Sequence, residues 1–263
     1  MDRHRVALIA LVAAVALAGC GGLGGSGTPT DRPSNATSQT AGPYDLPLNG
    51  SEIRERHRAA LIDAGNFSYR QRAVARAAGS GALLEYTNVS VRVDLSTGAY
   101  RFFENATATY PTAAYVTPNG TAYVRQRSPG QIAYDRQSSS GNGTDAYLYP
   151  PIGRYLRGLD YDYEGTDRVN GETVHVYAAN STDALDPDEH GLTALDPASL
   201  TDLSAELRVA ADGSIRTFRY DVTGTGPRGD RIRYVVRVEY ARVGSTTVPE
   251  PSWLDQAKRV TGE

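Results

Sequence analysis

The sequence predicts a mainly β fold of the α+β class, with one helix leading into a long run of antiparallel strands. Three observations carry that reading. From Phe67 onward apolar residues recur at every second position, the period of a half-buried strand. Short turn signals join the candidate strands at Pro118-Asn119-Gly120, Asn170-Gly171 and Asp212-Gly213, and connections that short suit antiparallel neighbours. Helical spacing is convincing in a single stretch, ahead of the first strand.

That helix begins at Ser51, a candidate cap, and ends at Gly65. Ile53, His57, Ala60, Leu61 and Ala64 share one face, with Glu52, Arg54, Glu55, Arg56 and Arg58 around the other. Two strands are plain. Val89, Val91, Val93 and Leu95 alternate with Asn88, Ser90, Arg92 and Asp94, and Ile232, Tyr234, Val236, Val238 and Tyr240 alternate with arginines and Glu239. Hairpins pair 113–117 with 121–127, 159–168 with 172–179, and 205–210 with 214–222. Strands at 67–75, 100–107 and 131–136 complete the run. Residues 150–158 read as a short helical turn, and 182–203 as a long acidic loop with one turn at 197–203. Residues 51–263 are expected to form one domain.

Ahead of it stand two segments of different character. Met1-Asp2-Arg3-His4-Arg5 is a short basic start, and Val6 to Leu17 is an uninterrupted apolar run, shorter than the roughly 20 residues a membrane span needs. Residues 1–19 therefore read as a signal peptide. It ends Leu17-Ala18-Gly19-Cys20, which resembles the lipobox of bacterial and archaeal lipoproteins. The resemblance implies cleavage between Gly19 and Cys20, a lipid on the Cys20 thiol, and a location at the cell membrane facing outward. Cys20 is the only cysteine in 263 residues, so an intramolecular disulfide is excluded. Residues 20–50, rich in Gly, Ser, Thr and Pro, read as a disordered tether reaching roughly 30 Å.

Composition narrows the function. The chain carries 27 Lys and Arg against 30 Asp and Glu, a net charge of -3 with no basic stripe interleaved with aromatics, which argues against nucleic-acid binding. Eight of the asparagines, Asn35, Asn49, Asn66, Asn88, Asn105, Asn119, Asn142 and Asn180, open Asn-x-Ser/Thr sequons, and Asn170 alone does not. That density is expected of a glycosylated outward surface. Sequons together with a lipobox point to an archaeal source, a halophile.

The order of parts (lipobox, tether, one amphipathic helix, then a meander of hairpins) resembles the lipoprotein-carrier superfamily that includes LolA, LolB, LprG and LppX. It is similar, more narrowly, to haloarchaeal lipoproteins of unassigned function. The resemblance runs over about residues 51–257 and is carried by Gly165-Thr166-Asp167-Arg168-Val169-Asn170-Gly171, the Asp212-Gly213 turn, two long strands, and the closing Val248-Pro249-Glu250-Pro251. It implies a strongly curved antiparallel sheet, an incomplete barrel with the N-terminal helix and a loop across its mouth. Such a sheet encloses an apolar concavity suited to a hydrophobic, lipid-like ligand. With four Phe against 17 Tyr, the expected cavity is smaller or more polar than a lipid carrier's.

Catalytic patterns are missing. There is no Gly-x-Ser-x-Gly elbow, no His-Glu-x-x-His and no phosphate-cradling glycine loop, so the expectation is a protein that is not an enzyme and has no cofactor. His57 and His175 read as packing or surface residues. Asp186 and Asp188, followed by Gly191, are the best metal candidates, but Pro187 interrupts the loop and no closing carboxylate follows. A solvated acidic loop is the favoured reading there. The tyrosines between 147 and 163 read as core and rim rather than as sugar-stacking platforms. Two functions remain: a binding or carrier module for a hydrophobic ligand, and a structural or interaction protein of the envelope whose core fills itself.

Overall fold

The structure is a computed structural model that describes residues 42–138, 143–149, 152–186, 195–226 and 228–263. The signal segment, Gly19, Cys20, Asn35, Asn142 and Asp188 lie outside the described residues.

Helix α1 (Gly50–Ala64) is capped by Asn49 rather than Ser51. The Asn49 side-chain oxygen accepts from the backbone N–H groups of Ser51 and Glu52, at 2.9 and 3.2 Å. Asn49 has the extended backbone a cap requires and satisfies two of the orphan donors of the first turn. Gly65 closes the helix in the left-handed conformation, φ 73°. Of the expected apolar face, Ile53, His57 and Leu61 are buried.

Eleven strands follow: β1 (Asn66–Ala77), β2 (Leu83–Asp94), β3 (Tyr100–Ala106), β4 (Thr109–Val116), β5 (Thr121–Ser128), β6 (Gln131–Ser138), β7 (Asp162–Val169), β8 (Glu172–Ala179), β9 (Asp202–Ala210), β10 (Ile215–Thr225) and β11 (Arg231–Ala241). Every expected strand is present. Strand β9 begins at Asp202, inside the segment expected as loop. The β7–β8 hairpin turns through Asn170 (φ 52°) and Gly171 (φ 86°), the two positive angles of a primed turn.

All eleven form one curved antiparallel sheet in the order β6-β5-β4-β3-β2-β1-β11-β10-β9-β8-β7. Two meanders are thus joined through their outermost members, the first strand pairing with the last from Ser68↔Ala241 to Ala77↔Ile232. Strands β6 and β7 are the two edges, so the barrel is left open.

Residues opposite one another across a ladder share a face, so the register sorts the sheet into two sides. The inner face carries Phe67, Tyr69, Val91, Val93, Phe102, Tyr177, Leu207, Phe218, Tyr220, Val236, Val238 and Tyr240, all in one buried cluster with Ile53 and Leu61 of α1. Between β6 and β7 the chain forms a strap with two single-turn helices, α2 (Asp145–Leu148) and α3 (Gly153–Leu156). Its Leu148, Ile152, Tyr155, Leu156, Leu159 and Tyr161 join the same cluster.

The opposite, outer face is covered at one end by helix α4 (Leu254–Thr261), which has no counterpart among the expected elements. Trp253, Leu254 and Ala257 pack there on Ala113, Tyr115 and Tyr123 in a second, smaller core. Ordered packing also reaches residues expected to be tether. Tyr44 is buried, its backbone N–H donates to the Tyr177 hydroxyl at 2.9 Å, and its own hydroxyl donates to the Gly213 carbonyl at 2.5 Å. A chain bonded in that way cannot be a free tether, so ordered packing starts ahead of α1.

Candidate functional site

The inner face changes character along its strands. At the α1 end its floor is large and aromatic. Tyr240 meets Tyr69 at 5.1 Å and Phe67 at 5.9 Å between ring centroids, and His57 edge-on at 4.4 Å. The strap lies over this floor. Tyr147 packs against Tyr69, Tyr100 and Phe102, while Tyr155 stacks on Phe218 and Tyr220 at 5.9 and 4.9 Å. The Tyr240 hydroxyl donates to the Tyr147 carbonyl at 3.2 Å, fastening strap to sheet. Burial pushes the phenols of Tyr69, Tyr147, Tyr161, Tyr220 and Tyr240 well above their ordinary value. They stay neutral, able to donate.

Further along the same strands the residues become small. On β1, Phe67 and Tyr69 give way to Gln71, Ala73 and Ala75. Facing them are Thr87 and Val89, then Ala106 and Thr112, with Val236 and Tyr234 on the other side. Most of this floor is only half-buried. The inner face therefore continues beyond the aromatic floor as a half-exposed trough of alanine, threonine and valine, with Gln71, Glu104 and Tyr234 among them. Period-2 alternation shows that these positions share a face. That they adjoin one another across β1–β4 and β11 depends on the β1–β11 pairing, for which the sequence carries no local signal.

The other expected site residues fall elsewhere. His57 is fully buried, and the Ile215 N–H donates to its Nδ1 at 3.0 Å, which places the ring proton on Nε2. That nitrogen is buried without a hydrogen-bond partner. Burial, reinforced by Arg216 and opposed by Asp212, pushes the imidazole down to about 3. His175 accepts from or donates to the Tyr163 hydroxyl at 2.9 Å through Nδ1. Asp186 lies where its backbone N–H donates to the Gly158 carbonyl at 2.7 Å, pinning loop to strap. Among the described residues no group of three His, Cys, Asp or Glu side chains is placed to hold a metal. The described tyrosines between 147 and 163 are buried or half-buried, as core and rim residues are.

Described sequons stay off the trough. Asn66, Asn88 and Asn105 lie on the outer face, Asn88 directly opposite Asn105. The Asn180 side chain accepts from Ser204 on that face at 3.3 Å, and Asn119 is exposed at the β4–β5 turn. The Asn49 cap uses its oxygen and leaves its amide nitrogen to solvent.

Over residues 5–257 the chain matches the profile of a family described as a family of unknown function, DUF7537, and it belongs to that family. A comparison with curated proteins gave no match. Among solved structures it is similar to LprF from Mycobacterium bovis, at 15% identity over 77% of this chain and 96% of that one, TM-score 0.34. It is similar also to the lipoprotein LppX of Mycobacterium tuberculosis, at 13% identity over 77% and 100%, TM-score 0.28. A third is a LolA superfamily protein of Nitrosomonas europaea, at 9% identity over 77% and 96%, TM-score 0.26. At these scores the likeness is remote.

Proposed function

We propose that this member of the DUF7537 family is a non-enzymatic binding or carrier module, holding a hydrophobic, lipid-like ligand in the trough of its inner face. The observation that carries the reading is the change along β1 from buried Phe67 and Tyr69 to half-exposed Gln71, Ala73 and Ala75, with half-exposed Val89, Thr87 and Ala106 alongside. A self-sufficient core covers such a surface with its own side chains; this floor stays half-exposed. Apolar lining with a few polar groups at the side is the ordinary make-up of a ligand site, and Gln71, Glu104 and Gln126 supply those groups here. In this reading the protein is anchored by lipid on Cys20, with the sequons facing outward from an archaeal membrane.

Two measurements test it. The fluorescent fatty acid 11-dansylaminoundecanoic acid should bind the full chain, and Ala73→Trp, which fills the trough, should weaken binding by about tenfold. Equal binding by both proteins would refute the trough. Separately, Cys20→Ser should move the protein from the membrane fraction to the soluble fraction; unchanged membrane association would remove the anchor.

The second reading is an envelope protein whose core fills itself. The strap favours it, since Tyr147 and Tyr155 already cover the aromatic half of the inner face. Wild-type protein that binds no probe and leaves the membrane without co-purifying lipid would establish it.

A further inference from the structure

On the outer face, away from the trough, the sheet forms a cleft of ≈ 850 Å³ between β1–β4, β11, the β7–β8 turn and the segment leading to α4. Six guanidinium groups line it, from Arg70, Arg92, Arg101, Arg125, Arg216 and Arg242, against the two carboxylates of Glu172 and Glu239. In a protein of net charge -3, that is a local reversal of sign.

The same face shows how this chain neutralises arginines when it does so. Asp221 receives Arg219 and Arg233 at 2.8 and 2.7 Å, and Arg208 is held between Glu206 and Asp167 at 2.8 and 2.9 Å. Among the described residues of the cleft only Arg216 is treated in that way, bidentate to Glu172 at 2.6 and 2.8 Å. Arg101 reaches the Pro249 carbonyl at 3.3 Å, and Arg125 lies over the Trp253 ring at 5.5 Å. Among the described residues Arg70, Arg92 and Arg242 make no ion pair with a carboxylate.

Arg92 stands directly opposite Arg101 across β2–β3, with Arg70 diagonal to it on β1. Like charges directly opposed weaken a sheet pair. Burial and the facing Arg92 both disfavour the charged form of Arg101. Farther along, Arg72 opposes Arg237, which opposes Arg219 in turn. Arg219 has Asp221 as its partner and Arg70 faces Glu239 across β1–β11, but Arg92 and Arg101 stand side by side with no carboxylate ion pair among the described residues.

We propose that this cleft binds a phosphate-bearing anion, its charge shared by Arg70, Arg92 and Arg101. Guanidinium forks match phosphate oxygens in pairs, and the half-burial of Arg92 and Arg101 strengthens their contacts. The phosphate belongs either to a small soluble molecule or to a lipid headgroup, and one experiment separates the two. Inorganic pyrophosphate should raise the melting temperature of the full chain at low ionic strength. Vesicles of phosphatidylglycerol, set beside phosphatidylcholine vesicles, report the headgroup.

Arg92→Gln should weaken whichever interaction is seen by about tenfold, while its own ligand-free melting temperature stays level or rises. A structural arginine would do the reverse. Pyrophosphate stabilisation without vesicle binding identifies a soluble ligand; binding to phosphatidylglycerol alone identifies a headgroup. No response to either probe, or an Arg92→Gln protein that melts earlier and keeps its response, overturns the proposal. Ala73→Trp should keep the pyrophosphate-induced rise in melting temperature, so this site and the trough stand or fall separately.

Discussion

Replacing Tyr240 by alanine is expected to cost about 3–5 kcal/mol of folding free energy, the range for deleting a large buried aromatic. Tyr240 is 1% exposed and joins three parts of the molecule. Its ring meets His57 of α1, Phe67 and Tyr69 of β1, and its hydroxyl holds the strap at the Tyr147 carbonyl. Alanine leaves a cavity that these neighbours cannot close, because α1 and β1 are fixed by their own backbone bonds. Phenylalanine keeps the packing and removes only the hydroxyl, leaving the Tyr147 carbonyl short of a donor, at about 1 kcal/mol. Urea denaturation of the two variants checks the ratio. Hydrogen exchange distinguishes the sites of loss: Tyr240→Phe should speed exchange within Asp145–Leu148 and leave β10 and β11 slow. Equal losses in the two variants would mean that the hydroxyl, not the ring, holds this corner.

The strands were legible because each is half-buried, so Val89-Ser90-Val91-Arg92-Val93 announces its two faces in the chain itself. The turns were legible for a different reason, since Asn170 and Gly171 adopt positive φ that few other residues tolerate. What stayed hidden is non-local. Strand β1 meets β11 across most of the chain's length, and nothing in either strand names its partner. The trough and the arginine cleft both depend on that register. Ala73 and Tyr234 sit on neighbouring strands only because of it, and the Arg92–Arg101 opposition is invisible until β2 and β3 are aligned. Residues 42–49 resemble a tether because Gly42, Pro43 and Pro47 continue the Gly- and Pro-rich composition ahead of them. One tyrosine bonded at both ends, Tyr44, is enough to order them. Helix α4 has an apolar face of only Leu254 and Ala257, and the prolines just before it hide its start.

Division of labour between the two faces follows from the same register. Along β1 the inner face runs from Phe67 and Tyr69 to Gln71, Ala73 and Ala75, so bulk is graded along that strand instead of scattered. The outer face carries charge and the sheet's sequons. A glycan at Asn88 or Asn105 would extend from the outer face and leave the trough open, while Arg72 lies beside Asn88 in the same cross-strand row. Any sugar there borders the arginine cleft.

Acid should unfold this protein through His57. The imidazole ordinarily titrates near 6.5 and is pushed down to about 3 in the fold, by burial first and by Arg216 second, with Asp212 opposing. Between those two values the unfolded chain binds a proton that the folded one refuses. Stability is therefore whole above pH 6.5 and falls as the pH drops toward 3, by about 1.4 kcal/mol per pH unit. Over the full interval the loss is about 5 kcal/mol, comparable to the total stability of many domains. The structure explains why the ring cannot charge in place. Its Nδ1 already accepts the Ile215 N–H, Nε2 has no acceptor to receive its N–H, and the Arg216 guanidinium is close enough to repel. The substitution His57→Asn sets an amide oxygen near the Nδ1 position and brings in no group that titrates in this range. That variant should melt lower than wild type at about pH 7.5 but show a much flatter dependence between about pH 6.5 and 4. Parallel pH profiles for the two proteins would assign acid sensitivity to the carboxylates instead, with Asp221, held well below its ordinary value by Arg233 and Arg219, the first to examine.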